Sequence, residues 1–340
     1  MSELHAASDS KITSAFESIS EDVRSFYSGL SIVYLENPDA FTFLQQVVSQ
    51  HRPCILTGML ESWPALHKWQ DLEYLIAEMD KDDSNYVNFT PNGRADSVHS
   101  HSFVTPAEIK MSARTFFDML QDSKSKDAVP YLSRQDDNFR RNFPSLLKDI
   151  EQSIPLATKV FGDDRGIDSD PEAINLWIGD ERSVSSLHKD FFENFYCVIK
   201  GTKTFLLYPP CDAIYFETKE YPLKSYVLKE EKAGDGSARK QHVKQDDLEL
   251  KDIHPTQTTR WISIDPEEEG IESKYPQLKH TSPLRVEVKA GEILYIPAMW
   301  LHRVGQTELT VAINFWHDMR FDNRYVFHRF VQALQEQQEL

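Results

Sequence analysis

His188 and Asp190 lie two residues apart at the start of an apolar run, in the segment LHKDFFENFYCVIKGTKTFLLYPP. On a β-strand, residues two apart face the same side, so both side chains can point to one site while Lys189 points away. An imidazole and a carboxylate held in this way are suited to binding a metal ion or transferring a proton. With 12 His in 340 residues, a His-x-Asp pair is expected about once by chance, so the pair alone is weak evidence.

A third ligand is offered by His302, in the segment AGEILYIPAMWLHRVGQ. Neighbouring strands of a jelly roll are often far apart in the sequence, so this histidine can join the first two residues. Two imidazoles and one carboxylate on one face of an ion leave its other positions open, as in the non-haem Fe(II) oxygenases. The alternative is that both histidines are ordinary half-buried side chains satisfied by hydrogen bonds.

Lys203 follows Asp190 by thirteen residues and is flanked by apolar strand-forming residues, in GTKTFLLYPP. An ammonium group in such a strand is costly to bury unless it meets an anion. A dicarboxylate cosubstrate bound at the metal would supply this anion. Lys203 therefore favours the metal-site interpretation of the two histidines.

The elements that must position these residues are mostly strands. From residue 174 onward the apolar runs are short and bounded by turns, and they predict strands at 174–178, 195–199, 204–208, 285–288, 293–296 and 310–315. Strands at this spacing indicate a barrel or a double-sheet jelly roll. We therefore predict a mainly β fold with flanking helices, with its core at residues 173–320.

The rest of the chain predicts elements around this core. Residues 1–30 predict a polar leader and an amphipathic helix, residues 31–172 helices and strands packed on the core, and residues 321–340 a C-terminal helix. The terminal helices either pack on the core or pair with a second copy of the chain, so a homodimer stays open. Residues 228–252 are charged and lack an apolar period, which predicts a surface loop.

Composition limits the classes of partner. The net charge of -17 disfavours direct binding of nucleic acid and favours a basic partner or peptide. Three cysteines without a Cys-x-x-Cys spacing indicate neither a disulfide framework nor a thiolate zinc site. The sequence has no apolar signal region and no run of about 18 apolar residues. We therefore expect a protein of the cytoplasm, with the nucleus as a second location and no membrane contact.

Several separate segments carry a resemblance to a known family. LHKDFFENFYCVIKGTKTFLLYPP, VEVKAGEILYIPAMWLHRV and VAINFW resemble the Jumonji-C family of Fe(II)- and 2-oxoglutarate-dependent oxygenases. INLWIGDERSVSSLHKD, WISIDPEEEG and NFWHDMRFDNRY extend the resemblance over about residues 30 to 335. Within the family, the chain resembles a small (3S)-lysyl hydroxylase that is also described as a peptidase. The resemblance implies a cupin-like double-stranded β-helix core.

The resemblance also implies roles for the residues singled out above. His188, Asp190 and His302 match the iron ligands of the family. Lys203 matches the lysine that pairs with the distal carboxylate of 2-oxoglutarate, the cosubstrate that is consumed together with O2.

Four further polar residues match family positions around the cosubstrate. Tyr131 and Ser185 match hydroxyl groups that reach the distal carboxylate of 2-oxoglutarate. Asn194 and Asn314 match two amides that line the end of the cosubstrate pocket nearest the iron. Neutral donors beside a chelated carboxylate, with one cation at the far end, would orient such a cosubstrate.

The implied activity is hydroxylation at C3 of a lysine in a translation-associated, developmentally regulated GTP-binding protein, with release of succinate and CO2. Trp177 and Trp316 are either core aromatics or walls of the substrate cleft. Three other functions stay open. N-methyl-lysine demethylation of histone tails would use the same site, a histone-tail peptidase would need a nucleophile that no motif supplies, and a non-catalytic barrel-type binding protein would not need the intact ligand set.

Overall fold

The computed structural model describes residues 31–122, 127–162, 170–229, 243–281 and 283–338, together with residues 14–15, 17–19, 21–22 and 25. The predicted N-terminal leader and helix lie largely outside these residues. No helix in the described part of the chain is long and apolar enough to cross a membrane.

Strands dominate the described residues. The first eight are β1 (Val33–Glu36), β2 (Cys54–Thr57), β3 (Tyr86–Thr90), β4 (Arg94–Ala95), β5 (Ser97–His99), β6 (Ser102–Thr105), β7 (Ala107–Lys110) and β8 (Val129–Tyr131). Eleven more follow them: β9 (Ala173–Gly179), β10 (Val184–His188), β11 (Phe192–Lys200), β12 (Thr202–Tyr208), β13 (Thr218–Leu228), β14 (Leu248–Asp252), β15 (Thr258–Ile262), β16 (Leu284–Lys289), β17 (Ile293–Ile296), β18 (Leu301–Gln306) and β19 (Thr310–Asp318).

Helices lie mainly before and after the strands of the core. They are α1 (Ala40–Phe43), which continues as a π-helix, α2 (Ala65–Lys68), α3 (Leu72–Met79), α4 (Ala113–Gln121), α5 (Asn138–Asn142), α6 (Pro155–Phe161), α7 (Ile271–Lys274) and α8 (Asn323–Gln338). Side-chain caps fix three of their starts. The side chains of Asp39, Asp71 and Ser112 accept hydrogen bonds from the N–H groups of Thr42, Glu73 and Thr115, respectively.

The core consists of two large sheets that pack face to face. One has the strand order β1-β2-β17-β11-β19-β9 and the other the order β16-β12-β18-β10-β4. Side-chain alternation along β11 separates two apolar layers: Tyr196 and Val198 face the interior between the sheets, whereas Phe195 and Cys197 pack against the helices. This architecture confirms the predicted mainly β jelly-roll core with flanking helices, including α8 at the C-terminus.

All six strands predicted from apolar runs are present, as β9, β11, β12, β16, β17 and β19. Two short strands, β10 and β18, carry the candidate ligands His188 and His302, and no apolar run identified β18. Outside the core, β13 pairs with β6, β14 and β15, and β3 pairs with β7 and β8.

The prediction of a surface loop at residues 228–252 is wrong for residues 248–252. Residues 248–252 form strand β14, which pairs antiparallel with β13 and places Leu248 opposite Leu228. Leu248 and Leu250 alternate with charged residues, so the two-residue period was present but was hidden by the surrounding charge. Residues 230–242 of the predicted loop lie outside the described residues.

Candidate active site

The three predicted ligand residues meet at one end of the interior between the two sheets. Strand β10 pairs antiparallel with β18, and His188 lies directly opposite His302. The Asp190 Oδ2 atom is 3.7 Å from His188 Nε2 and 3.5 Å from His302 Nε2. Among the described residues, these three form a group whose ligand atoms all lie within 4.8 Å of one another.

The position of Asp190 corrects one step of the sequence argument. We expected His188 and Asp190 to face one side of a single strand, but β10 ends at His188 and Asp190 follows in the connection to β11. The backbone carbonyl of Asp190 accepts a hydrogen bond from the Met299 N–H at 2.7 Å. Hydrogen bonding to a distant turn therefore positions the backbone that carries this carboxylate, and strand periodicity does not.

Both histidines are oriented by backbone carbonyls. His188 Nδ1 is 2.7 Å from the Ser186 carbonyl, and His302 Nδ1 is 3.0 Å from the Trp300 carbonyl. Because a carbonyl can only accept, each Nδ1 carries a proton and donates it, and each Nε2 presents a lone pair toward Asp190. This is the tautomer that a metal-binding imidazole needs.

The protonation states also suit a metal. Burial, together with the neighbouring His302, lowers the pKa of His188, so the imidazole is held neutral. Ligands of one ion at about 2 Å lie roughly 3 Å apart, so the observed separations need only a small contraction. The donor set fits a divalent metal ion with open positions.

Lys203 lies deeper in the same interior and has no exposed surface. Its Nζ donates hydrogen bonds to the Tyr131 hydroxyl at 3.2 Å and to the side-chain carbonyl of Gln306. In the part of the chain that the structure describes, no carboxylate forms an ion pair with Lys203, and burial lowers its pKa to about 7. A buried cation with only neutral partners is a site for an anion.

Ser185 reaches this pocket because of a β-bulge. The pairing of β10 with β18 shifts between Ser185, which is opposite Val304, and His188, which is opposite His302. Residues directly opposite in an antiparallel pair share a face, so Ser185 and His188 face the same side although they are three apart. Burial raises the pKa of Tyr131, and its hydrogen bond with Ser185 only partly opposes this rise. Tyr131 is therefore held as a neutral hydroxyl donor.

Asn194 and Asn314 form a neutral polar pair in the same interior. The Asn314 Nδ2 donates to the Asn194 Oδ1 at 3.2 Å, and the indole N–H of Trp177 donates to the Asn314 Oδ1 at 2.9 Å. Both amides are almost fully buried. The hydrogen bonds from Trp177 to Asn314 and from Asn314 to Asn194 fix which atom of each amide acts as donor. This leaves the Asn194 Nδ2 as a free donor group among the described contacts.

Gln306 is the pocket residue that sequence reasoning missed. It lies directly opposite Lys203, and its Nε2 donates to the backbone carbonyls of Asp180 at 2.6 Å and Ser183 at 3.1 Å. A signal was present in the sequence, because residues 302 and 306 of one strand share a face. Recognising it required a strand assignment for residues 301–306.

A cavity of about 900 Å³ begins at His188 and runs toward helix α8. Its walls are mainly apolar, and they include Phe191, Phe216, Trp261, Met299 and Phe327. Neither Trp177 nor Trp316 lines it, so the structure gives their predicted role as cleft walls no support. Trp177 faces the interior beside Tyr131, and Trp316 stacks on Phe192 with ring centres 4.8 Å apart.

The charge of this cavity differs from the charge of the whole chain. Three cationic side chains line it, those of Lys189, Arg260 and Arg324, against one carboxylate, that of Glu217. Glu217 is in turn paired with Lys219 at 2.9 Å, and Arg324 is paired with Asp322 at 2.9 Å, which leaves Lys189 and Arg260 as the cations that set the charge of this wall. The expectation that an acidic protein favours a basic peptide therefore does not describe the wall nearest His188.

Comparisons with known proteins agree with this geometry. A family model described as a cupin-like domain matches residues 40–323. The human bifunctional peptidase and (3S)-lysyl hydroxylase JMJD7 is 33% identical, with 94% of this chain and 96% of that protein covered. The Arabidopsis thaliana lysine-specific demethylase JMJ32 is 36% identical, with 94% and 90% covered, and the Dictyostelium discoideum JmjC domain-containing protein E is 33% identical, with 95% and 94% covered.

The fold, the His-Asp-His group and these similarities agree over most of the chain, and they confirm the resemblance found in the sequence. The protein belongs to the cupin-like Jumonji-C family of 2-oxoglutarate-dependent dioxygenases.

Proposed function

We propose that this protein is an Fe(II)- and 2-oxoglutarate-dependent hydroxylase that acts on a lysine side chain of a protein substrate. The observation that carries the proposal is the arrangement of two charged groups in one buried interior. A cluster of two imidazoles and a carboxylate lies at one end, and the ammonium of Lys203, which has no counter-charge among the described residues, lies deeper. A dicarboxylate that chelates a metal at one end and carries a second carboxylate at the other satisfies both.

Each residue of the pocket has a separate task in this proposal. His188, Asp190 and His302 would hold the iron through Nε2, a carboxylate oxygen and Nε2. Iron and 2-oxoglutarate, when bound, supply oxidative decarboxylation to succinate and CO2 coupled to transfer of an oxygen atom from O2 to a C–H bond. The chain itself supplies binding and orientation.

The distal carboxylate of the cosubstrate would be held by one positive charge and two hydroxyl groups. Lys203 would pair with the distal carboxylate, and the hydroxyls of Tyr131 and Ser185 would donate to it. The Asn194–Asn314 pair would orient the end nearest the iron. The apolar layer between the sheets excludes water, which strengthens each of these interactions and protects reactive species from solvent.

The lysine specificity rests on similarity to a relative that is named a (3S)-lysyl hydroxylase. The cavity beside His188 has the volume and the apolar walls to take a peptide segment. The candidate substrate remains a developmentally regulated GTP-binding protein, as the sequence resemblance implies. The cationic residues in the cavity wall favour a segment that carries an acidic side chain as well as the target lysine.

N-methyl-lysine demethylation is the second candidate function. It is favoured by the 36% identity to a relative that is named a lysine-specific demethylase. The same site would oxidise an N-methyl carbon, and the product would lose formaldehyde. Hydroxylation at C3 and demethylation therefore share every residue named above and differ in the substrate carbon that is presented.

Mass spectrometry of lysine peptides from candidate GTP-binding proteins distinguishes these functions. After incubation with Fe(II), 2-oxoglutarate and O2, we expect a mass gain of one oxygen atom confined to one lysine, together with succinate. Loss of a methyl group and release of formaldehyde from N-methylated peptides would favour the demethylase. Succinate formation at an equal rate by Asp190→Ala would contradict the metal site itself.

We also propose a homodimer and a cytoplasmic and nuclear location. The homodimer is supported by helix α8, on which Val326 is 63%, Phe327 56% and Phe330 57% exposed. Light scattering of the wild type and of Phe330→Glu tests the dimer, since a wild-type monomer would contradict it. Microscopy of the tagged protein tests the location, and a signal confined to another compartment would contradict that part.

A further inference from the structure

Glu193 is a buried carboxylate that the proposed reaction does not use. It precedes Asn194 on strand β11, so its side chain faces away from the interior between the sheets, and it is 1% exposed. One of its oxygens, Oε2, accepts hydrogen bonds from the Tyr295 hydroxyl at 2.6 Å and from the Ala298 N–H at 3.2 Å. The carboxylate thus holds the end of strand β17 and the turn that follows it.

That turn, residues 297–300, contacts two of the three metal-ligand residues. The N–H of Met299 donates to the backbone carbonyl of Asp190 at 2.7 Å. The carbonyl of Trp300 accepts from His302 Nδ1 at 3.0 Å. The turn therefore sets the backbone that carries one ligand and the ring orientation of another.

The turn is held in a conformation that is unfavourable by itself. Met299 has a φ of +67°, in the left-handed region that a residue with a long side chain rarely adopts. Such a conformation persists only where surrounding contacts fix it. Glu193 fixes the Ala298 N–H. His51 also holds the turn. The His51 carbonyl accepts a hydrogen bond from the Trp300 indole at 2.9 Å, and the His51 Nε2 contacts the Ala298 carbonyl at 3.0 Å.

We propose that Glu193 is a positioning residue for the metal site: by holding the turn at residues 297–300, it sets the Asp190 backbone and the His302 imidazole for a shared ion. This inference rests on the proposed function only in taking His188, Asp190 and His302 as the ligands. Partners that orient metal ligands contribute to metal affinity without touching the metal.

Titration with Mn(II) alone, followed by electron paramagnetic resonance of the free ion, tests this role without requiring a substrate or turnover. Glu193→Leu removes the acceptor and should weaken Mn(II) binding by about tenfold. Glu193→Gln is the conservative variant, because its amide oxygen can take the place of Oε2 and accept both donors. It should bind Mn(II) within about twofold of the wild type.

Asp149→Asn is the matched control for loss of a buried carboxylate. Asp149 has no exposed surface and accepts hydrogen bonds from Lys68, Trp69 and Tyr74, away from the turn and the ligands. It should lower thermal stability and leave Mn(II) affinity unchanged. Equal affinity in Glu193→Leu and the wild type, or equal weakening in Glu193→Leu and Asp149→Asn, would overturn the proposal.

A milder variant keeps the test informative if Glu193→Leu does not fold. Tyr295→Phe removes one of the two donors to Oε2 without changing the size of a buried ring, and it should weaken Mn(II) binding by about threefold. An unchanged affinity in this variant would overturn the proposal. If the wild type itself does not bind Mn(II), the proposed metal site is wrong, and this outcome is distinct from failure of the role of Glu193.

Discussion

Lys203 on strand β12 and Gln306 on strand β18 are directly opposite each other, and the ammonium group donates a hydrogen bond to the side-chain carbonyl of Gln306. Two backbone carbonyls hold the amide of Gln306 in turn, so the position of the ammonium is fixed before any ligand binds. Gln306 provides an acceptor but no negative charge. Lys203 is therefore pre-positioned and has no counter-charge among the residues that the structure describes, and its variants test the cosubstrate site directly.

Replacing Lys203 with methionine should stabilise the ligand-free protein and remove binding of 2-oxoglutarate. An apolar side chain of similar length avoids the cost of a buried, uncompensated charge, and we expect a gain of about 1–3 kcal/mol in the free energy of unfolding. Thermal unfolding with and without 2-oxoglutarate measures both effects. The partly exposed Lys200→Met is the control. Equal stabilisation of Lys203→Met and the wild type by 2-oxoglutarate would show that the anion binds elsewhere.

The stability of the ligand-free protein should rise with pH through the titration of Lys203. Its pKa is lowered to about 7 by burial, against 10.5 for an unperturbed lysine, so the unfolded chain binds more protons between these values. The destabilisation caused by this residue is therefore constant below about pH 7 and decreases as the pH rises from about 7 to 10.5. The difference between the unfolding curves of the wild type and Lys203→Met isolates this residue, and a difference independent of pH would contradict the assignment.

Affinity for 2-oxoglutarate should change in the opposite direction with pH. The dianion needs the protonated lysine, so its dissociation constant should increase above about pH 7, by up to about tenfold per pH unit. Calorimetric titration of the protein loaded with Mn(II) measures this dependence. A constant affinity between about pH 7 and about pH 9 would mean that Lys203 is not the anion partner.

Asp190→Ala should lose metal binding and succinate production. The variant removes the carboxylate and leaves two imidazoles, and we expect affinity for Mn(II) to fall by more than about 100-fold. His99→Ala, at an exposed histidine of strand β5, is the control and should behave as the wild type. Equal loss in both variants would point to general instability, and circular dichroism at the assay temperature checks that both are folded.

Tyr131→Phe should raise the KM for 2-oxoglutarate by about fivefold and change kcat little. The variant removes one neutral hydrogen bond to the bound carboxylate, worth about 1 kcal/mol, and keeps the ring that packs on Trp177. Initial rates at varied 2-oxoglutarate concentration measure the effect. A fall in kcat at unchanged KM would assign the hydroxyl to a later step and contradict a binding role.

Lys189→Glu should change which peptides bind in the cavity beside His188. With the wild type, a lysine-centred peptide series carrying one glutamate should bind more tightly than the same series carrying one arginine, and the variant should reverse this order. Lys289→Glu, at an exposed residue of β16 that does not line the cavity, is the control. Fluorescence anisotropy measures binding without requiring turnover. The same order of affinity in wild type and Lys189→Glu would mean that the cavity does not hold the peptide.

Patterns within short segments predicted much of the fold and the iron-site candidates. Apolar runs bounded by turns predicted all six strands at β9, β11, β12, β16, β17 and β19, because strand formation there depends on local β-propensity and burial. The charged strand β14 and the short strand β18 were missed. Their pairing with β13 and with β10 and β12 is a long-range property that no local window contains.

Residue types in the sequence determined the chemistry available to this protein: two histidines and an aspartate for a metal, and one lysine in an apolar strand for an anion. The tertiary structure decided how they are held. Asp190 lies beyond the end of strand β10, where its carbonyl accepts a hydrogen bond from the Met299 N–H. A bulge in β10 turns Ser185 toward the interior, and the pairing of β12 with β18 places Gln306 opposite Lys203. Each of these depends on hydrogen bonds between strands far apart in the chain, which exist only once the two sheets have formed.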